Sequence, residues 1–248
     1  STFIHDSFSC RIGKGNHAGM KRLEVMTRKV SKNYTCPCFV LKCDIKKFFD
    51  SVDHEILLNL LTRRISCPNT IWLLREVVGS FSVSETLFEK QGLPIGNLTS
   101  QLFANVYMNE LDQFMKHKLR VKYYARYTDD FVVVADSTDY LELLLSPIAD
   151  FLAEHLKIKL HPDKTSIRTL LSGVDFLGYV IRPHYRVIRV KTRKRSFKKM
   201  KRCIKTYEQG EISKETLEQS LHSYLGAMSH GCEYKTSENL KNLFWLYI

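Results

Sequence analysis

Three aspartates stand where apolar, β-rich runs of the chain end or turn. Asp44 closes one such run, and Asp129 and Asp130 lie in a short break between two others. If these runs are strands of one sheet, the three carboxylates meet at its edge, where their mutual repulsion requires a neutralising cation. The pattern predicts a site for two Mg²⁺ ions, with Mn²⁺ as a substitute. One ion would activate an attacking hydroxyl and the other would hold a triphosphate.

The same aspartates have a plainer interpretation. Two aspartates in a turn usually form only a polar hairpin tip, and Asp44 is also in a position to cap a helix. However, a carboxylate that ends an apolar strand needs a partner, which favours the metal site.

Hydrophobic periodicity predicts the elements that would position these carboxylates. Residues 1–36 are expected to form a loop followed by a short helix or strand, and Asp53 to cap a helix. The predicted strands cover residues 39–45, 81–88, 121–127, 131–135, 158–160 and 176–181. The predicted helices cover residues 56–65, 72–79, 99–115 and 140–156, with a kink or a new turn at Pro147, and three weak helices end at Trp245.

Charge favours a polyanionic partner. The chain has 38 Lys and Arg against 26 Asp and Glu, a net charge of +12, although a basic protein without nucleic acid is an equal alternative on charge alone. Residues 182–205 contain twelve basic residues and no acid, which favours contact with a nucleic-acid backbone over a solvated face. The basic residues predicted to bind nucleic acid there are Lys191, Arg193, Lys194, Arg195 and Lys198.

Several classes of protein are disfavoured by composition. The chain has no run of 18 apolar residues, so we expect no transmembrane helix and no membrane partner. Its seven cysteines are odd in number and irregularly spaced, which favours reduced thiols and a cytoplasmic location over disulfides or a structural zinc site.

Taken together, residues 39–53, 93–101, 127–130, 161–165 and 174–178 resemble five ordered motifs of reverse transcriptases. This resemblance implies an α+β right-hand polymerase fold with an antiparallel palm sheet packed on helices. It assigns the fingers to residues 1–38 and 69–92, the palm to 39–68 and 93–190, and the thumb to 191–248. The implied activity is RNA-directed DNA polymerisation, with template RNA, primer or cDNA, and dNTPs as partners.

The resemblance also implies roles for single residues. Asp44 and Asp129 would be the principal metal ligands, with Asp130 and the backbone carbonyl of Ile45 beside them. Phe49 would exclude a 2′-hydroxyl, although core packing of the Phe48–Phe49 pair is the alternative.

Other implied roles concern the nucleotide and the nucleic acid. Lys164 would lie near the leaving pyrophosphate, or else be a solvated loop lysine. Arg11 and Lys14 flank a glycine-containing loop and would hold the triphosphate, with surface charge as an equal alternative. Tyr127 and Gly178 would contact nucleic acid.

One motif resembles a subfamily more narrowly. Ile95-Gly96 followed by Ser100-Gln101, together with Cys10-Arg11-x-Gly13-Lys14-Gly15-x-His17, is similar to the reverse transcriptases of diversity-generating retroelements. That similarity implies cDNA synthesis with errors at template adenines, a bacterial, archaeal or phage context, and a small basic oligomeric accessory protein. An Ile in place of a Gln loses a polar anchor near the nascent base pair, although Ile95 packing against the next helix is the alternative.

Two other functions remain open from the sequence. One is a reverse transcriptase of another bacterial lineage, such as a phage-defence enzyme. The other is a non-catalytic RNA-binding scaffold that kept the fold, which the intact Asp44, Asp129 and Asp130 disfavour.

Overall fold

The computed structural model describes residues 3–82, 90–94 and 96–247. The chain forms two compact units, Ser1–Thr169 and Leu170–Ile248. Most of the strand predicted at residues 81–88, and Ile95, lie outside the described residues. The assignment of residues to fingers, palm and thumb, with a boundary near 190, stays a prediction.

The first unit is built around a four-stranded antiparallel sheet in the order β2-β3-β1-β4. Its strands are β1 (Phe39–Cys43), β2 (Tyr124–Tyr127), β3 (Asp130–Ala135) and β4 (Ser166–Thr169). Its helices are α1 (Asn16–Val30), α2 (Phe48–Ser51), α3 (His54–Thr62), α4 (Pro68–Gly79), α5 (Leu98–Gln113) and α6 (Thr138–Leu156). A π-helical turn, Phe114–Lys118, continues α5, and a 3₁₀ turn covers Pro162–Lys164.

Helices cover both faces of this sheet. Successive side chains of a strand point to opposite faces, and residues 131–135 of β3 are all buried. Phe131 and Val133 belong to the main hydrophobic core with residues of α5 and α6, whereas Val132 and Val134 are buried outside it. Because α1 also packs against β2 and β3, it covers the second face. Burial on both faces explains why β3 is apolar without alternation.

Capping residues fix where the helices around the sheet begin. The Asp53 side chain accepts a hydrogen bond from the backbone N–H of Ile56 at 3.0 Å, which confirms the predicted cap of α3. Asn97 caps α5 through the N–H of Thr99, and Ser137 caps α6 through the N–H of Tyr140. Pro147 lies inside α6, which runs from Thr138 to Leu156.

The second unit contains a three-stranded antiparallel sheet followed by three helices. Its strands are β5 (Val174–Phe176), β6 (Tyr179–Arg182) and β7 (Tyr185–Ile188). Its helices are α7 (Val190–Glu208), α8 (Lys214–Met228) and α9 (Tyr234–Trp245), which ends at the predicted residue. α7 packs against α8 and α9 through buried Met200 and Ile204.

The antiparallel sheet packed on helices confirms the predicted α+β fold class, but some elements differ. Residues 158–160 form no strand and make a single antiparallel bridge between Leu160 and Ile45, because β4 pairs with β1 instead. Residues 176–181 are two strands joined by a turn rather than one strand. The helix of the first 36 residues is 15 residues long, not short. Among the helices of the described residues, none is long and apolar enough to cross a membrane.

Candidate active site

The three predicted carboxylates meet at one edge of the first sheet. In the antiparallel register Cys43 lies opposite Phe131, so Asp44 and Asp130 follow at the same edge. Tyr127 pairs with Asp130, which leaves Thr128 and Asp129 as the two-residue turn between β2 and β3. The strand pairing therefore brings distant parts of the chain together, as the sequence predicted.

Burial and repulsion perturb two of these carboxyl groups. Burial raises the pKa of Asp130 to about 6, with the charges of Asp44 and Asp129 adding to the rise and that of Lys42 opposing it. Burial also raises the pKa of Asp129, and the charge of Asp44 contributes. Carboxylates kept close together in a partly dry site favour a bound cation.

Two lysine ammonium groups lie against the carboxylates. Lys164 Nζ is 2.9 Å from Asp44 Oδ1, and Lys42 Nζ is 3.4 Å from Asp130 Oδ2. Lys164 reaches the site because the N–H of His161 donates to the Asp44 carbonyl at 2.8 Å, just before the 3₁₀ turn that carries the lysine. The carboxylate edge thus attracts positive charge from two separate segments.

The donor set fits hard divalent cations. Within the described part of the chain, no three His, Cys, Asp or Glu side chains form a ready metal cage. Mg²⁺, however, usually binds one or two carboxylates and completes its shell with water and substrate phosphates. Asp130 Oδ1 is buried and has no hydrogen-bond partner among the described residues, so it is an unsatisfied oxygen of the type that such an ion takes as a ligand.

Phe49 lies next to the predicted nucleotide-binding segment. Its carbonyl accepts the N–H of Leu93 at 2.7 Å, and the Val52 carbonyl accepts the N–H of Gly92 at 2.8 Å. The Phe49 ring is half-buried and meets the ring of Phe48 edge-on at 5.4 Å. Gly96 is exposed and has a φ of 97°, a conformation that favours glycine.

The N-terminal cations contact their own segment. Arg11 Nη1 donates to the carbonyls of Ile4 at 2.6 Å and Ser7 at 2.9 Å. Lys14 Nζ donates to the carbonyl of His5 at 2.9 Å. Both side chains therefore brace the N-terminal loop here, and the triphosphate role stays a prediction.

Gln101 is linked to this N-terminal loop. It lies on the first turns of α5, and its side-chain oxygen accepts a hydrogen bond from the Cys10 thiol. The contact brings together two motifs that are 91 residues apart in the sequence.

A buried polar network behind the turn was not predicted. Arg126 and Asp112 are both fully buried and paired at 2.6 Å. Arg126 also donates to the carbonyl of Thr128, in the turn itself, at 2.9 Å. The sequence signal was a charged Arg126 inside an otherwise apolar strand, since such a charge requires a buried partner.

The second unit carries the predicted nucleic-acid-binding residues other than Tyr127, which ends β2 in the first unit. Gly178 lies with Leu177 in the turn between β5 and β6, and both have positive φ, 89° and 51°. This two-residue turn suits a hairpin and favours glycine. The five predicted cations are all exposed on α7. Arg193, Lys194 and Lys198 line a shallow groove of about 360 Å³ together with Phe197 and Lys201.

A carboxylate edge formed by two strands of an antiparallel sheet that is packed on helices is consistent with a right-hand polymerase fold. Residues 3–181 match the reverse transcriptase (RNA-dependent DNA polymerase) family. The chain belongs to this family.

Relatives within and beyond bacteria are similar to this chain. Protein YkfC of Escherichia coli (strain K12) is 27% identical over 175 residues, which cover 57% of this chain and 46% of that protein. The group II intron-encoded protein LtrA of Lactococcus lactis is 25% identical over 225 residues, 65% of this chain and 37% of LtrA. The chain thus spans less than half the length of these two relatives.

Solved structures share the fold. The structure of telomerase from Candida tropicalis in complex with a TWJ fragment of telomeric RNA matches with a TM-score of 0.58. The match covers 97% of this chain and 43% of that chain at 14% identity. Apo telomerase from the same organism, truncated from its C-terminal domain, matches with a TM-score of 0.54, covering 72% of this chain and 39% of that one at 16% identity.

Proposed function

We propose that this protein extends a nucleic-acid primer by copying an RNA template into cDNA. The observation that carries the proposal is the convergence of Asp44, Asp129 and Asp130 at one sheet edge in a chain of the reverse transcriptase family. These carboxylates and the carbonyl of Ile45 would hold two Mg²⁺ ions, which would supply Lewis-acid chemistry for the attacking hydroxyl and the triphosphate.

The surrounding residues have distinct roles in this proposal. Phe49 excludes ribonucleotides: its ring is half-buried, and its backbone carbonyl accepts the N–H of Leu93 in the segment that leads to Gly96. Lys164 moves from Asp44 to the leaving pyrophosphate, where its ammonium group neutralises charge and donates a proton.

Other contacts hold the substrates. Arg11, Lys14 and Gln101 contact the incoming nucleotide, and Tyr127 and Gly178 contact the primer–template. The exposed cations of α7 contact the phosphate backbone without reading sequence.

Primer extension on an RNA template tests the function. We expect the wild-type protein to extend a DNA primer in Mg²⁺, and Asp129→Asn to reduce the rate by about a thousandfold or more, because a charged metal ligand becomes an amide. Asp139→Asn, at an exposed carboxylate at the start of α6, is the matched control and should extend normally. No extension by the wild type in Mg²⁺ or Mn²⁺ would favour the RNA-binding scaffold instead.

We further propose that the protein belongs to a diversity-generating retroelement and copies template adenines with errors. The sequence pattern Ile95-Gly96 with Ser100-Gln101 supports this assignment over group II introns and retrons, and less firmly over phage-defence enzymes. A small basic oligomeric protein is the accessory partner in this proposal.

Sequencing of the cDNA tests the narrower proposal. A neutral hydrogen bond contributes about 1 kcal/mol net, so Ile95→Gln should lower misincorporation opposite adenine several-fold without abolishing it. Wild type and variant are compared on one template at matched dNTP concentrations. Equal error spectra, or errors spread evenly over the four template bases, would contradict the assignment while leaving the polymerase proposal intact.

A further inference from the structure

The turn that carries Asp129 rests on a buried ion pair. Arg126 lies three residues before Asp129 on β2, and Asp112 lies on the second half of α5. Both side chains are 0% exposed. Arg126 Nε and Nη2 donate to the two carboxylate oxygens of Asp112 at 2.7 and 2.6 Å, a bidentate geometry.

Every N–H donor of the Arg126 guanidinium has a partner. Besides the two bonds to Asp112, Nη1 donates to the Thr128 carbonyl at 2.9 Å and to Asn105 Oδ1 at 3.4 Å. Nη2 also donates to Ser7 Oγ at 3.3 Å. An Arg has five such donors in a fixed planar arrangement, and these five contacts use all of them. A lysine, with three donors on one nitrogen, has no equivalent arrangement.

The contact with Thr128 falls on a strained residue. Thr128 has a φ of 55°, in the left-handed region that β-branched residues avoid. Its side chain is fixed as well, because Oγ1 donates to Ser9 Oγ at 2.8 Å. Such a conformation persists where surrounding contacts determine it, and it often marks a functional site.

The buried pair is poorly explained by stability alone. Replacing a buried ion pair with well-packed apolar residues is often neutral or stabilising, because desolvation offsets much of the attraction. The described contacts instead connect α5, the N-terminal segment and the Thr128–Asp129 turn through one guanidinium.

We propose that Arg126 and Asp112 are a positioning pair that holds the Thr128–Asp129 turn in the conformation that binds the metal ions. Arg126 fixes the turn through the Thr128 carbonyl, and Asp112 fixes the plane of the guanidinium. This inference rests on the proposed polymerase function, and neither residue touches the reacting atoms.

The decisive variant replaces the network with apolar groups of similar size. In Arg126→Met/Asp112→Leu/Tyr124→Phe the third change removes the Tyr124 hydroxyl, which otherwise loses its 2.8 Å bond to Asp112. We expect the variant to fold and its kcat for primer extension to fall about 100-fold. A small misplacement of a reacting group lowers the rate by about this factor. The KM for dNTP should change far less than kcat. Mg²⁺ or Mn²⁺ should raise the melting temperature of the wild type, and this rise should be absent in the variant.

Two further variants make the result interpretable. Tyr124→Phe alone removes a bond to Asp112 but leaves the bond to Thr128, so its kcat should stay within about threefold of wild type. Arg126→Lys keeps a positive charge opposite Asp112, but the lysine cannot also donate a hydrogen bond to the Thr128 carbonyl in the turn. It should therefore fold and still lose most of the metal-induced stabilisation and of kcat.

The possible outcomes distinguish failure of the positioning role from failure of the proposed polymerase function. If the wild type does not extend primers, the proposed function fails whatever the variants do. If the wild type extends primers and the folded triple variant matches it in kcat and in metal-induced stabilisation, the positioning role is overturned. If the triple variant does not fold, Arg126→Lys decides, and wild-type kcat in that variant overturns the role.

Discussion

Replacing Asp130 with asparagine should stabilise the metal-free protein at neutral pH. Burial raises the pKa of this carboxyl group from 3.8 to about 6 in the folded state. Because the folded pKa is the higher one, the contribution of Asp130 to stability is full below pH 4 and is lost as the pH rises through 6. About two pKa units correspond to about 3 kcal/mol.

Urea denaturation in the presence of a chelator measures this effect. The free energy of unfolding of Asp130→Asn minus that of the wild type should rise between pH 4 and pH 7 by up to about 3 kcal/mol. The test is the change of this difference with pH, because the amide itself alters the free energy of unfolding by the same amount at every pH. Mg²⁺ should reduce the difference at pH 7, because it binds the ionised wild-type carboxylate better than the amide.

A matched carboxylate elsewhere provides the control. Asp139→Asn, at an exposed position, is the control and should not show this rise between pH 4 and pH 7. A flat difference for Asp130→Asn between pH 4 and pH 7 would refute the reasoning. It would mean that burial does not raise the pKa of this carboxyl group in the folded state.

Two further substitutions test separate parts of the molecule. Phe49→Ala should lower the preference for dCTP over rCTP in primer extension while dNTP use stays normal, and an unchanged preference would assign the ring to core packing. Gly178→Ala should lower the free energy of unfolding by about 1 kcal/mol, because φ there is 89° and an added Cβ strains the backbone rather than its neighbours. Gly79→Ala, where a Cβ also meets nothing within 4 Å, is the control and should cause no loss.

The elements with strong apolar periodicity were predictable. The strands β1 and β3 and the helix α5 follow directly from runs that have to be buried, and the carboxylates at the strand ends follow with them. The turn at Leu177–Gly178 was also visible in principle, because glycine inside an apolar run often marks a tight turn.

Pairing between distant segments was harder to predict. Residues 158–160 and 166–169 both follow α6 closely in the sequence. Only the second segment pairs with β1 as a strand. The link between Arg126 and Asp112 spans 14 residues and crosses from a strand to a helix. The local pattern shows that Arg126 requires a buried partner but does not identify Asp112 as that partner, so the carboxylates were predictable and the network behind their turn was not.

The two cationic side chains Lys164 and Arg126 differ in how easily each can separate from its carboxylate partner. The Lys164 side chain is 55% exposed and Arg126 is 0% exposed. An exposed ion pair contributes little, so the Lys164 ammonium would leave Asp44 at small cost if a metal ion and its phosphates were bound there. Breaking the buried Arg126–Asp112 pair leaves an uncompensated charge and costs several kcal/mol. In the proposed reaction, the exchangeable charge of Lys164 faces the substrate, whereas the fixed charge of Arg126 lies behind the turn and keeps its geometry constant.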